Sequence, residues 1–298
     1  MRVLVAGASG FLGTKLVARL RESGHEVVRL VRRPPSGPDE LRWEPAAGKV
    51  ELPAVDAVVN LAGANVGDKR WTDAYKRELL TSRTDTTGTL VTAIAALPQD
   101  ERPRTMLQMS GVDWYGEPGE KAVDETDEPS GGGFLTEMAQ AWERAAAPVA
   151  DSGVRLVLMR TGLPMGTGGG YLKPLLLPFK LGVGGPLGNG RAWVPWISMP
   201  DFLAAVEFLL ARDDIAGPVN LTGPAPVRNR EFAKALGRAL HRPALFPVPK
   251  PALKVAAGSQ FAGEILVSRR VLPAVLRDRG FHFAHATIDD ALAVALRR

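Results

Sequence analysis

The apolar positions of this chain fall into two alternating textures. Short apolar runs recur at 2–6 (RVLVA), 25–31 (HEVVRLV), 57–61 (AVVNL), 105–109 (TMLQM), 154–159 (VRLVLM) and 218–221 (PVNL). Runs of this length and composition suit strands buried on both faces. Between them, 14–23, 71–80, 86–97, 134–150 and 202–212 carry helical spacing. In the first of these, Leu16, Val17 and Leu20 form the apolar stripe, and Gly24 stands at the C-terminal cap position. Strands alternating with helices predict an α/β fold built on a doubly wound parallel sheet.

From Gly166 the texture changes. The stretch 166–190 is rich in Gly, Pro and Leu and reads as a loop-rich lobe. Helical patterns follow at 229–240, 251–257, 269–278 and 287–296, and the four prolines of HRPALFPVPKPA mark the entry to a helical piece from about 246. The division expected is a nucleotide-binding domain over 1–165, completed by 201–222, and a substrate lobe over 166–200 and 223–298.

Composition narrows the function classes. The absence of cysteine removes disulfides, thiolate nucleophiles and Cys-ligated metal, and suits a reducing cytoplasm. Lys and Arg number 37 against 32 Asp and Glu, and the excess of +5 is spread along the chain, which argues against nucleic acid. No apolar run reaches the roughly 18 residues of a membrane span, so no membrane partner is expected. The four histidines lack the spacing of a metal site, and none is expected. His282 and His285, in the alternating stretch FHFAH, would point to opposite faces of a strand. Neither a G-x-S-x-G elbow nor a P-loop occurs.

The strongest chemical signal is GASGFLG at 7–13, directly after the first strand and opening the first helix. Gly7, Gly10 and Gly13 allow a tight turn, a close approach of backbone to pyrophosphate, and helix–strand contact; Ser9, Phe11 and Leu12 lie between and beside them. The second strand ends in Arg32-Arg33, with no acidic residue before Asp39. An acidic residue there would accept the 2′-OH of NAD, whereas guanidinium groups suit the 2′-phosphate of NADP(H). A solvated loop is the alternative reading.

Together with NLAG at 60–63, SRTDTTGTL at 82–90, SGVDWYG at 110–116, LMRTGLPMGTGGG at 158–170 and the tail RRVLPAVLRDRGFHF at 269–283, these segments resemble the extended short-chain dehydrogenase/reductase superfamily. Within it the chain looks closest to the epimerase/dehydratase-like "epimerase family" proteins that end in a small helical domain. The resemblance implies a Rossmann-type domain with NADP(H) along the glycine turn, Arg32, Arg33, Leu61, Ala62, Gly63, Arg83, Met109 and Arg160.

The resemblance also exposes a gap. Members that work by hydride transfer use a Ser, a Tyr and a Lys four residues beyond the Tyr, the Lys and the nicotinamide charge lowering the phenol's pKa. No Y-x-x-x-K exists in this chain; Met138 and Trp142 stand at those positions. Ser110 matches the family serine and is expected to hold a substrate oxygen. Tyr115 or Glu137 is the expected substitute acid/base. Asp113, Trp114, Met138, Trp142, Arg191 and Trp193 are expected to line the substrate pocket, and Arg191 falls where related enzymes grip a diphosphate. Two functions stay open: an NADP(H)-binding oxidoreductase or epimerase-like enzyme for a small or nucleotide-linked hydroxy or keto substrate, and a non-catalytic NADP(H)-binding regulator or redox sensor. The oligomeric state stays open too, with a homodimer as one option.

Overall fold

In the computed structural model, which describes residues 1–297, RVLVA forms β1 (Arg2–Ala6). It leads into α1 (Phe11–Glu22), β2 (Glu26–Val31), β3 (Glu40–Arg42), β4 (Ala57–Asn60), α2 (Asp73–Ala96) and β5 (Thr105–Gly111). The chain continues through β6 (Ala122–Val123), α3 (Phe134–Ala146), β7 (Arg155–Thr161), β8 (Leu163–Met165), α4 (Lys173–Lys180), β9 (Trp193–Val194), β10 (Trp196–Ser198), α5 (Met199–Leu210) and β11 (Gly217–Leu221). It ends with β12 (Val227–Arg228), α6 (Asn229–Ala239), α7 (Lys250–Ala257), α8 (Ser259–Ile265), β13 (Arg270–Val271), α9 (Ala274–Asp278) and α10 (Ile288–Leu296).

Seven strands pair in the order β11-β7-β5-β4-β1-β2-β3, all parallel. The doubly wound sheet read from the sequence is therefore the fold. Alternation along β1 divides the core. Val3 and Val5 pack with Leu16, Leu20 and Phe202 on one face, while Leu4 and Ala6 pack with Leu90 and Ile94 on the other. A third cluster, with Met165, Phe179, Trp196, Phe232, Leu236 and Leu292, holds the smaller lobe together.

Three expectations about local structure are corrected. The two helices expected over 71–80 and 86–97 are one helix, α2. Thr84 and Thr86 interrupt its apolar repeat, but they donate their hydroxyl protons to the Leu80 and Ser82 carbonyls (3.2 and 2.8 Å), so they are satisfied within the helix. The helix expected over 269–278 begins as a strand. β13 pairs with β6, and only after Pro273 does α9 start. The stretch FHFAH is not a strand: no ladder among the described residues pairs it, and the Ala284 and His285 amides donate to the Asp201 carboxylate instead (2.9 and 3.0 Å). The short strands β3, β6, β8, β9, β10 and β12 had no reading in the sequence, being too short for periodicity to register. No described helix is long and apolar enough to cross a membrane, and no group of His, Asp and Glu among the described residues can hold a metal ion.

Candidate functional site

The strand order reverses at β1. From there the chain winds outward through β2 and β3 on one side and through β4, β5, β7 and β11 on the other. In open parallel sheets the crevice beyond the strand ends at such a switch point is where ligands bind. Here its walls are the 7–13 turn after β1 and Leu61 to Gly63 after β4. The two come together because the Leu61 amide donates to the Ala6 carbonyl (3.0 Å). Gly7 adopts φ +76°, and a Cβ there would lie 2.7–2.9 Å from the backbone of Leu61 and Ala62. Gly13 is excluded from bearing a side chain for a different reason, since its Cβ would overlap the Gly7 carbonyl. Gly10 is the open member: its Cβ would meet only the Gly7 oxygen, at 3.3 Å. It precedes α1 without a side-chain cap, leaving first-turn amides directed into the crevice. Phe11 packs on the glycines at 166, 168, 169 and 170, tying the turn to the smaller lobe. Ser9 is exposed and Leu12 half-buried, while Met109 lies in the core and receives the Thr161 hydroxyl on its sulfur (3.0 Å).

Arg83 enters this crevice from α2. Its side chain lies flat against Gly63, where a Cβ would meet the guanidinium carbon at 3.2 Å, and it covers the Trp142 ring at 4.9 Å. One nitrogen donates to the Leu79 carbonyl (3.0 Å), but Nε is buried without a partner, and no carboxylate among the described residues pairs with the group. Burial lowers its pKa to about 10, the distant Asp113 charge opposing the shift. It remains a cation at neutral pH.

The two arginines at the end of β2 differ. Arg33 donates from both terminal nitrogens to Glu40 (2.8 and 2.6 Å), whose carboxyl is held down to about 2 mainly by that contact and by the Ser36 amide. Arg32 is exposed and has no carboxylate partner among the described residues. Of the two guanidiniums expected to face a phosphate, Arg33 is thus held by a carboxylate and Arg32 is not. β3 brings Glu40 alongside, which no local pattern announced.

At the end of β5 stands a buried polar network. The Ser110 hydroxyl donates to Glu143 Oε1 (2.7 Å). Arg160 grips the same carboxylate through Nε and Nη2 (2.9 and 3.0 Å) and donates from Nη1 to the Tyr115 oxygen (3.2 Å). Tyr115 donates in turn to Asn220 Oδ1 (2.9 Å), and the Asn220 amide donates to Glu125 Oε1 (2.8 Å). Burial would lower the Arg160 guanidinium, but Glu143 outweighs it and raises the group; burial raises Tyr115 to about 12. Tyr115 is fully enclosed with its proton committed, so it is not placed to shuttle one. Arg160 sits inside this network, stacked 3.4 Å from the Trp114 ring centroid, rather than on the cofactor crevice. Glu143, Asn220 and Glu125 carry no motif, and sequence reading passed over them.

Along α3, Met138 joins Tyr75, Leu79 and Leu135 in an apolar cluster, and the Trp142 indole donates to Thr87 Oγ1 (3.0 Å). Glu137 lies exposed on the other side of the helix, away from both. Asp113 bonds Arg269 (3.0 Å), a residue of the C-terminal segment. Trp193 lies between the guanidiniums of Arg228 and Arg270, at 4.0 and 4.8 Å, whereas Arg191 points to solvent.

Comparison with known proteins accords with this geometry. A profile described as "NAD dependent epimerase/dehydratase family" matches residues 3–221, and one described as "Domain of unknown function (DUF1731)" matches 248–295. The chain belongs to the NAD dependent epimerase/dehydratase family. Epimerase family protein Mb2239 of Mycobacterium bovis is 42% identical over 99% of this chain and 98% of its own. The human epimerase family protein SDR39U1, solved with NADPH, superposes with a TM-score of 0.92 at 35% identity over 99% of both chains. The Thermus thermophilus UDP-glucose 4-epimerase, at 17% identity and a TM-score of 0.76, shares the fold. Against the family's Tyr and Lys, Met138 and Trp142 offer no proton to move. At the family's Lys position stands Trp142, and the Arg83 guanidinium is stacked on its ring.

Proposed function

We propose that this family member binds NADP(H) and acts as an oxidoreductase or epimerase-like enzyme on a small or nucleotide-linked hydroxy or keto substrate. The observation that carries the reading is Arg83. A buried guanidinium without a carboxylate is costly unless an anion or polar ligand meets it, and this one lies against Gly63, in the crevice wall that packs beside the glycine turn. NADPH in the SDR39U1 structure supports the same cofactor here, and Arg32 is the group free to meet a 2′-phosphate. The nicotinamide, when bound, supplies or accepts hydride. This chain's part is to hold the dinucleotide by Gly7, Gly10, Gly63 and Arg83, and to move a proton through Ser110. A substrate hydroxyl passes its proton to Ser110 Oγ as the serine's own proton crosses to Glu143, the carboxylate to which it is already hydrogen-bonded. The absence of cysteine supports a cytoplasmic setting for it.

A second reading, a regulator or redox sensor that holds NADP(H) without turnover, is favoured by the proton-inert Met138 and Trp142. One experiment separates them. NADPH titration establishes binding, and a screen of sugar nucleotides and small carbonyl compounds follows, repeated with Ser110→Ala and Glu143→Gln. We expect activity that falls about 10²–10⁴-fold in both variants, the scale of general acid–base assistance. Tight NADPH binding with no turnover across the screen would establish the second reading; activity indifferent to both changes would remove Ser110 and Glu143 from the chemistry.

A further inference from the structure

Exposed large apolar side chains are not scattered over this molecule. Apart from Met1 and Val255, those among the described residues are Leu177, Leu181, Val183, Leu245 and Phe246, with Leu181 at 69% and Leu245 at 74% exposure. They come from two segments that lie side by side. Arg242 donates to the Lys180 carbonyl (3.0 Å), the Val248 amide to Pro186 (2.8 Å) and the Gly188 amide to Val248 (2.9 Å). The Gly185 backbone runs directly against that of Phe246. Lys173, Leu177 and Leu181 are spaced by fours along α4 and its C-terminal cap, so they share one side of it.

The charge around these side chains has a single sign. Lys173, Lys180 and Arg242 form no ion pair among the described residues, although surface arginines elsewhere commonly do. The chain holds no Asp or Glu between Asp151 and Asp201, nor between Glu231 and Glu264, the two stretches that build this face.

We propose that this face docks on an anionic phospholipid bilayer, with the leucines and Phe246 entering the headgroup boundary and the cations meeting lipid phosphates. A second copy is disfavoured by charge, because a two-fold contact would set the lysines against one another. A protein partner fits the composition poorly. Interface cores are rich in Tyr, Trp and Arg and poor in Lys, whereas this face offers Leu and Lys, the makeup of interfacial membrane contacts. The contact is peripheral, and it places the smaller lobe, with its 166–190 loops, against the lipid.

The test is sedimentation of the full chain with vesicles of phosphatidylcholine alone or mixed with phosphatidylserine. Pelleting is expected only with the mixed vesicles and should weaken as salt shortens the screening length. Leu181→Ser with Phe246→Ser should cut binding about tenfold or more through lost apolar insertion, and Lys173→Glu with Lys180→Glu should abolish it. Lys49→Glu with Arg77→Glu makes the same charge change at exposed sites elsewhere and should leave binding unaltered. All variants are checked for an unchanged melt. As an independent readout, Leu181→Trp emission should shift to the blue on anionic vesicles. No pelleting with anionic vesicles at low salt overturns the proposal, as does an equal loss in the Lys49/Arg77 variant. So would retention on poly-glutamate without vesicle binding, which would point to an acidic protein instead.

Discussion

Arg32 and Arg33 are neighbours with different tasks. Arg33 is already neutralised by Glu40 within the β2–β3 corner, whereas Arg32 is free to meet a 2′-phosphate. A charge-assisted hydrogen bond is worth about 1.5–3 kcal/mol, roughly ten- to a hundredfold in affinity. Arg32→Ala should therefore weaken NADPH by about that factor and NADH hardly at all, with Arg33→Ala the milder change. Calorimetric titration of both variants with both cofactors checks it; equal losses for the two nucleotides would mean that Arg32 does not read the phosphate. Tyr115 makes a second case. Its phenol ionises at about 12 in the folded chain against an ordinary value near 10, so the native state keeps a proton that the unfolded state gives up. The contribution is complete below pH 10 and declines only as pH climbs from there towards 12. Tyr115→Phe should thus cost about 1–3 kcal/mol by stranding Asn220 and an Arg160 nitrogen, while leaving any pH–rate profile between 6 and 9 unchanged. Denaturant unfolding and a pH profile measure the two halves separately.

Among the elements, the turn between β1 and α1 shows how adjacent glycines divide their duties. At Gly10 a side chain has room within the fold and intrudes only into the crevice, while at Gly13 it collides with the Gly7 carbonyl. Gly10→Val is therefore expected to fold, with an unchanged circular dichroism spectrum, and to lose NADPH binding. Gly13→Val should lower the melting temperature of the cofactor-free protein or prevent its folding, because α1 must move off the sheet. A folded Gly10→Val protein with normal NADPH affinity would contradict the assignment of the turn.

At the scale of the whole molecule, the C-terminal segment is pinned to the nucleotide-binding sheet by a few polar contacts. Arg269 reaches Asp113 (3.0 Å) and donates to the Gly116 carbonyl (2.8 Å). Glu125 accepts from the Ala274 and Val275 amides at the start of α9 (3.1 and 3.3 Å). Arg269→Ala leaves Asp113 without its cation and removes the clamp beside α8. Hydrogen exchange should quicken over residues 250–273 while β1, β4 and β5 stay protected, as local opening requires. Uniformly faster exchange across the sheet would show instead that the segment is integral to one cooperative unit.

The sequence by itself determined the parallel sheet, the glycine turn and the position of the missing Tyr–Lys pair. Each is written in residues close together in the chain: apolar runs of four to seven, three glycines within seven positions, and a four-residue helical spacing. Tertiary structure decided what those patterns face. Glu40 reaches Arg33 only because β3 pairs with β2, and Arg83 became a buried cation only because α2 runs unbroken past β4. Tyr115 passed from expected acid to enclosed hydrogen-bond donor because Asn220, more than a hundred residues on, closes over it from β11. Local spacing records which face of an element is apolar. Which polar groups then share a buried site depends on contacts between strands and helices distant in the chain, and the pattern along any one segment carries no trace of them.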